Sequence, residues 1–350
     1  MSAGGAVAVR APLAWLGPSR LVEDALIVAR DGLIVYAGPA RGAGAPAEIV
    51  GEEFRVDGFV MPAVADRHVH IGLSNPGEIL RGGVSRVRDL AWPPDFIHPL
   101  ASASQDPGWD GPLVRAVGPV ITSHGGYPSR ASWAPDGTAA EVRGVEEAEV
   151  ATRRVLAEGS AGAIKVALNA DAGPVLRDDE LVAICDTAHS LGAIVTVHAQ
   201  GAGQPERALG AGADEVAHCP WSERLADDVV HAMARSMRIV STLNIHSYGR
   251  STAELDVALD NLRRFVQAGG VVAYGTDLGN GPIPAGIDAH EASLLEAAGV
   301  QDERLLEAMT EHALAPGEPA DLIGLRANPL DDVAEIGSVA FVLRGGRRVR

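Results

Sequence analysis

Met61-Pro-Ala-Val-Ala-Asp-Arg-His-Val-His70 is the stretch on which the reading of this chain turns. A run of small and apolar residues ends in Asp66, His68 and His70. Read as a strand, it puts alternate side chains on one face, so His68 and His70 point the same way at its end. Two imidazoles on one face can chelate a divalent metal. A His-x-His pair also arises by chance in a chain with 11 histidines, so its weight depends on what other ligands the fold brings to it.

Outward from this stretch, the chain divides in two. On the N-terminal side, Leu26 to Gly38 reads as two short strands around Asp31-Gly32, a hairpin signal. At the far end, the runs beginning at Ala320 and Val339 are strand-like again, with a turn at Gly345-Gly346. Residues 1–60 and 318–350 are therefore expected to pair into one small composite β-sheet domain, leaving 61–317 as the main body. Within it, apolar strand-like runs alternate with amphipathic helical stretches. The strand candidates are 59–69, 84–89, 112–121, 162–168, 193–198, 214–218, 238–243 and 271–276. Helices are expected near 144–158, 178–191, 203–211, 223–236, 252–268, 288–299 and 301–313. Eight strands with helical crossovers predict an α/β fold, a parallel (β/α)8 TIM barrel. The Gly-, Pro- and Ser-rich segment 122–144 reads as a functional loop after the third strand.

Composition narrows the partners. The net charge is −17, which argues against nucleic acid and anionic membranes and leaves a small-molecule substrate. The sequence contains no transmembrane-length apolar run and no signal-peptide pattern at its start. Cys185 and Cys219 cannot make a disulfide framework and fit a reducing, cytoplasmic setting. A homo-oligomeric assembly is left open. Of 29 cationic side chains, all are arginine except Lys165. Arginine evidently serves the ordinary cationic positions, whereas lysine can lose its proton and act as a nucleophile. One surviving lysine is also compatible with chance, so its surroundings decide.

Active sites of such barrels sit at the C-terminal ends of the strands. Those ends carry His68 and His70, Arg88-Asp89, the Thr122–Tyr127 loop, Lys165, His198, His218 and Asp277. Four histidines, one carboxylate and the sole lysine thus fall at one mouth. Arg88 and Asp89 read as a structural pair there.

At these residues the chain resembles the amidohydrolase superfamily, in its branch with a binuclear metal centre bridged by a carboxylated lysine. The imidazolonepropionase-like and Xaa-Pro dipeptidase-like members are the most similar. Asp66-Arg-His68-Val-His70, Gly83–Leu90, Lys165, His198, His218 and Gly275-Thr-Asp277 carry the resemblance. It implies two divalent metal ions, zinc foremost: His68, His70 and Asp277 on one, His198 and His218 on the other. N6-carboxylated Lys165 would bridge both. It implies a metal-bridging hydroxide whose proton Asp277 passes to the leaving nitrogen, and a substrate role for His124, polarising the scissile carbonyl. Tyr127, Asn169, Gln200, Asn244, His246 and Tyr248 are the further substrate-binding candidates. The implied activity is hydrolysis of an amide-type C–N bond, peptide or otherwise, in a dipeptide, an N-acyl amino acid or a lactam. Lactone or ester hydrolysis, a deaminase on the same fold and a non-catalytic metal-binding barrel are the alternatives. The deaminase leaves Lys165 unexplained. Short spacing between His70 and Gly83, and Cys219 in place of a common glycine, depart from the family pattern without touching a ligand position.

Overall fold

The computed structural model describes residues 6–46, 48–49, 51–106 and 108–350. Its strands are β1 (Ala6–Trp15), β2 (Leu21–Arg30), β3 (Leu33–Pro39), β4 (Gly51–Arg55), β5 (Phe59–Pro62), β6 (Val64–Val69), β7 (Val84–Asp89), β8 (Leu113–Ala116), β9 (Val120–Ser123), β10 (Ala139–Val142), β11 (Ala163–Asn169), β12 (Ile194–Gln200), β13 (Glu215–Val216), β14 (Arg238–Val240), β15 (Val271–Ala273), β16 (Leu322–Leu325), β17 (Val339–Arg344) and β18 (Arg347–Arg348). The fold is mixed α/β, with parallel sheets and a separate, mainly antiparallel sheet.

The antiparallel sheet runs β18-β17-β16-β5-β1-β2-β3, with β4 pairing β1. It joins the two ends of the chain, as the strand-like runs predict. Asp31 and Gly32 turn β2 into β3 with φ of 50° and 81°, a backbone that suits Asp and Gly. Gly345 and Gly346 turn β17 into β18 in the same left-handed region.

The expected strand over 59–69 is divided between two sheets. β5 pairs with β16 antiparallel and ends at Pro62, which has no N–H to continue the ladder. β6 then starts the parallel layer against β7. The candidate at 112–121 also divides, into β8 and β9, because Gly118 (φ 90°) and Pro119 interrupt it. The loop after it holds a strand of its own: β10 lies parallel to β9, pairing Ala139–Val142 with Val120–Ser123.

Parallel pairing runs β6-β7-β8 and, separately, β10-β9-β11-β12-β13-β14-β15. Backbone bonds join the two sheets: Arg67 N to Tyr274 O (3.0 Å), Asp277 N to His68 O (2.8 Å) and His70 N to Leu278 O (2.8 Å). Near the other edge, Ala161 N donates to Ala116 O at 3.1 Å. β11, central in its sheet, is buried on every residue, as a parallel strand covered on both faces requires. Helices lie between the parallel strands: α1 (Pro76–Arg81), α2 (Pro94–Ala103), α3 (Val145–Glu158), α4 (Asp178–Ser190), α5 (Gln204–Gly210), α6 (Asp227–Ser236), α7 (Ala253–Gln267), α8 (Ala289–Ala297) and α9 (Glu303–Met309). Side chains mark several starts. Asn75 accepts from Gly77 N, Thr252 from Leu255 N and Asp288 from His290 N and Glu291 N.

Arg88 and Asp89 do not pair, although both end β7. Arg88 reaches buried Glu215 on β13 and donates to Arg67 O at 3.0 Å. Asp89 turns the other way and accepts from Ile71 N (2.8 Å) and Ala91 N (3.3 Å). Adjacent strand residues face opposite sides of a sheet, which is why the sequence neighbours part.

The approach of residues 274–278 to β6 sets a steric demand at Gly275. A Cβ there would lie 2.4 Å from Val240 Cγ1 and 3.1 Å from His68 Cβ. Gly275→Ala is expected to destabilise the fold by about 1–3 kcal/mol, the usual range for overpacking. Urea unfolding of the two proteins measures it.

Candidate metal centre

His68 and His70 both project from the end of β6, two residues apart, as the alternation of a strand requires. Asp277 reaches them from the segment that bonds to β6. Its Oδ1 lies 3.2 Å from Nε2 of His68 and 3.2 Å from Nε2 of His70. The three ligand atoms lie within 4.8 Å of one another, and all three residues are buried. Asp277 adopts φ of 58°, in the left-handed region, and Asn280 Nδ2 donates to its Oδ2 at 2.6 Å.

Two more imidazoles stand beside these. The ring of His218 is 4.5 Å from that of His68, centroid to centroid, and 4.8 Å from that of His198. Neighbours set how each ring faces. His68 Nδ1 lies 2.7 Å from Ala217 O, so it carries the proton and leaves Nε2 as the free lone pair. His218 Nδ1 meets Thr242 Oγ1 at 2.9 Å. His198 Nε2 lies 3.2 Å from Asn169 Nδ2 and 3.3 Å from Gln200 Oε1. Such partners on the second ring nitrogen are what orient metal-ligating histidines.

Lys165, in the middle of β11, lines the same cavity. It is buried, and its Nζ has no hydrogen-bond partner. Burial pushes its ammonium down to about 7, while the charge of Asp277 works in the opposite direction. Burial likewise pushes His198 down to about 3, assisted by the charge of Lys165. A buried lysine nitrogen without a partner is costly, and a ring of imidazole lone pairs and one carboxylate is a metal-binding donor set. The residues present therefore fit divalent metal.

The cavity around this cluster has an empty volume of about 720 Å³. Tyr127, Gln200, His246 and Tyr248 line it. His246 is pushed down to about 4 by burial, and its Nε2 has no hydrogen-bond partner. Asn169 stands behind the wall, holding His198 and Gln200 (2.9 Å to its Oε1). Asn244 faces away: its Nδ2 donates to Asp288 Oδ2 at 2.7 Å, and its backbone N to Glu291.

His124 is not brought to the cavity. Its side chain is 55% exposed, and Nδ1 pairs with Glu141 Oε2 at 2.6 Å. The cause is β10. This strand returns beside β9 and carries Glu141 to the outer edge, where the His124 backbone N donates to Val142 O. The loop's contribution to the cavity comes instead from Tyr127, Pro128 and Trp133. Trp133 packs on His70, with ring centroids 4.7 Å apart, and donates from Nε1 to the Tyr127 hydroxyl at 3.1 Å. Trp221 packs on His246 at 4.5 Å and on His218 at 5.5 Å. The sequence reading passes over both tryptophans and Asn280. The available signal was position: Trp221 lies three residues beyond the sixth strand candidate, and Trp133 lies in the glycine-rich loop.

No family model matches this chain. Among curated proteins it is similar to ochratoxinase of Aspergillus niger, 26% identical over 327 residues, 77% of this chain and 66% of that protein. The chain thus spans just under two thirds of this relative. A segment of 52 residues, 15% of the chain, is 50% identical to imidazolonepropionase of Methylobacterium sp., 12% of that protein. Solved structures share the fold over almost the whole chain. The A. niger ochratoxinase structure superposes with a TM-score of 0.82 at 21% identity, covering 99% of this chain and 95% of the other. A Xaa-Pro dipeptidase with methionine bound in its active site gives 0.81 at 19% identity, covering 98% and 99%.

Trp133 and Trp221 lie against rings of the candidate ligands, so metal loading is expected to change tryptophan fluorescence. Zinc added back to chelator-treated protein should give a saturable change, and the Trp133→Phe/Trp221→Phe double variant should lose most of it. An undiminished signal in that variant would place the responding tryptophan elsewhere. In sequence, in fold and in its relatives, the chain resembles the amidohydrolase superfamily.

Proposed function

We propose that this chain is a metal-dependent amidohydrolase that cleaves an amide-type C–N bond in a small molecule. The joined parallel sheets would form the (β/α)8 barrel of residues 61–317, with the composite sheet of 1–60 and 318–350 beside it. The observation that carries the reading is the placement of Lys165. The sole lysine of the chain is buried, its Nζ has no hydrogen-bond partner, and it lies in one wall with the four candidate-ligand histidines and Asp277. A salt-bridge or surface role would give it a carboxylate partner or solvent.

In this reading His68, His70 and Asp277 would hold one divalent ion, and His198 and His218 would hold a second. Lys165, carboxylated on Nζ, would join them, a chemistry open to a neutral amine and closed to a guanidinium. With Nε2 engaged by Asn169 and Gln200, His198 would offer Nδ1. Zinc is the expected metal. When bound, the ions lower the pKa of a water and polarise the substrate carbonyl.

The remaining work falls to side chains. Asp277 accepts the proton of the attacking water and delivers it to the leaving nitrogen as the C–N bond breaks. Asn280 holds Oδ2 of Asp277, leaving Oδ1 toward the histidines. Tyr127, Gln200, His246 and Tyr248 contact substrate, and His246 Nε2 is a free hydrogen-bonding atom for it. Asn169 acts through His198 and Gln200. His124 and Asn244 have no place in the step.

Elemental analysis of protein prepared without chelator should approach two transition metals per chain. A fully active protein holding one would sink the binuclear reading. Lys165→Arg puts a fixed positive charge between the ligands, so at least one metal should be lost. Activity should fall by more than the roughly 10–100-fold typical of outer-sphere changes. A screen of amides, lactams, lactones and dipeptides against metal-reconstituted protein reads that activity. Two retained metals and full turnover in Lys165→Arg would overturn the assignment.

A further inference from the structure

Aromatic residues make up only 4% of this chain, and the chain contains nine tryptophans and tyrosines together. Four of them, Tyr127, Trp133, Trp221 and Tyr248, line the one cavity that holds the histidine cluster. They come from three loops, Tyr127 and Trp133 sharing one. Tyr127 and Trp133 are joined by a hydrogen bond at 3.1 Å, and Tyr127 stacks on His198 with ring centroids 5.1 Å apart. Tyr248 packs over Gly281, where a Cβ would lie 2.7 Å from its ring. The result is a cleft in which aromatic rings lie against His70, His198, His218 and His246.

The same wall is poor in positive charge. Among the described residues that line it, Lys165 is the one lysine or arginine, although the chain carries 29 such side chains. The proposed reading commits Lys165 to the metals. Recognition of a substrate carboxylate ordinarily employs an arginine fork or a lysine. The two arginines beside the ligand motif are engaged elsewhere: Arg67 with Ala65 O, Thr310 O and Glu311, and Arg88 with Glu215 and Arg67 O. The polar groups that do line the walls outside the ligand cluster, Gln200, Asn280, the His246 imidazole and the two tyrosine hydroxyls, suit uncharged donors and acceptors.

We propose that the substrate is a small uncharged amide, with an aromatic or similarly flat group beside the scissile bond and without a free carboxylate. This rests on the hydrolase reading above and narrows it away from dipeptides and N-acyl amino acids. Water supplies an oxygen to the carbonyl carbon, the C–N bond breaks, and the proton passes to the nitrogen. The products are a carboxylic acid and an amine. The aromatic faces hold the flat group while the carbonyl points to the ligand cluster. The newly formed carboxylate meets no arginine in the walls, which favours its release.

The test uses two compounds that differ by one carboxylate, N-(2-phenylethyl)benzamide and N-benzoylphenylalanine, with metal-reconstituted full-length protein. The neutral amide is expected to have the higher kcat/KM, by tenfold or more. Tyr248→Arg places a guanidinium at the cavity rim and is expected to cut that ratio about tenfold. Equal rates on the pair, a preference for the carboxylate or a ratio unmoved in the variant overturns the proposal. Hydrolysis of neither compound would count against the hydrolase reading on this scaffold, and the dissociation constants, from tryptophan quenching, would then decide the ligand class separately. Tighter binding of the neutral compound sustains it. Equal binding, tighter binding of the carboxylate or binding of neither overturns it.

Discussion

The structure depends on one seam, where residues 67–70 bond to residues 274–278. Three backbone hydrogen bonds cross it, and the buried carboxylate of Asp66 adds to them. Asp66 accepts from His68 N on its own strand, and from Thr276 N and Oγ1 across a sequence separation of 210 residues. Closing a loop of that length is entropically opposed, though the cost grows only slowly with length. The seam fixes His68, His70 and Asp277 within reach of one another. Everything assigned to the cluster follows from that register. A shift of one residue along β6 would send both histidines to the opposite face.

The ligand positions were legible because strand alternation is strict. The four histidines lie near or just beyond strand ends, in runs apolar enough to be recognised, and Lys165 stands out against an all-arginine background. The composite sheet was legible through its turn residues at Asp31-Gly32 and Gly345-Gly346. What escaped was set by partners far away in sequence. Nothing around His124 announces that Glu141 will return beside it on β10, and Arg88 finds Glu215 rather than its neighbour. Asn244 is drawn to Asp288, a helix cap 44 residues on. The breaks at Pro62 and at Gly118-Pro119 were visible as residues, but strong flanking hydrophobicity made each pair of strands read as one.

Strands and loops divide the labour. The candidate ligands sit on β6, β11 and β12 or directly after strands, locked by buried neighbours such as Ala217 O and Thr242. Buried Glu215 on β13 takes both Arg88 and Arg238, which engages these two arginines away from the site. The aromatic walls come from the segments 127–133, 221 and 248, which follow strands and make few of the bonds that hold the sheets. Changes there can reshape the cleft while the donor set keeps its geometry.

Asp277 sits at φ 58°, a backbone that costs most side chains roughly 1–2 kcal/mol and costs glycine nothing. Aspartate is among the residues that tolerate it best, and although burial opposes its charge, His68, His70 and Lys165 hold its carboxyl well below the usual carboxylate range. The backbone strain is thus offset by the company the side chain keeps. Asparagine at 277 would keep the turn and surrender that attraction, so a lineage that drifted there would forfeit the donor without gaining a sturdier fold.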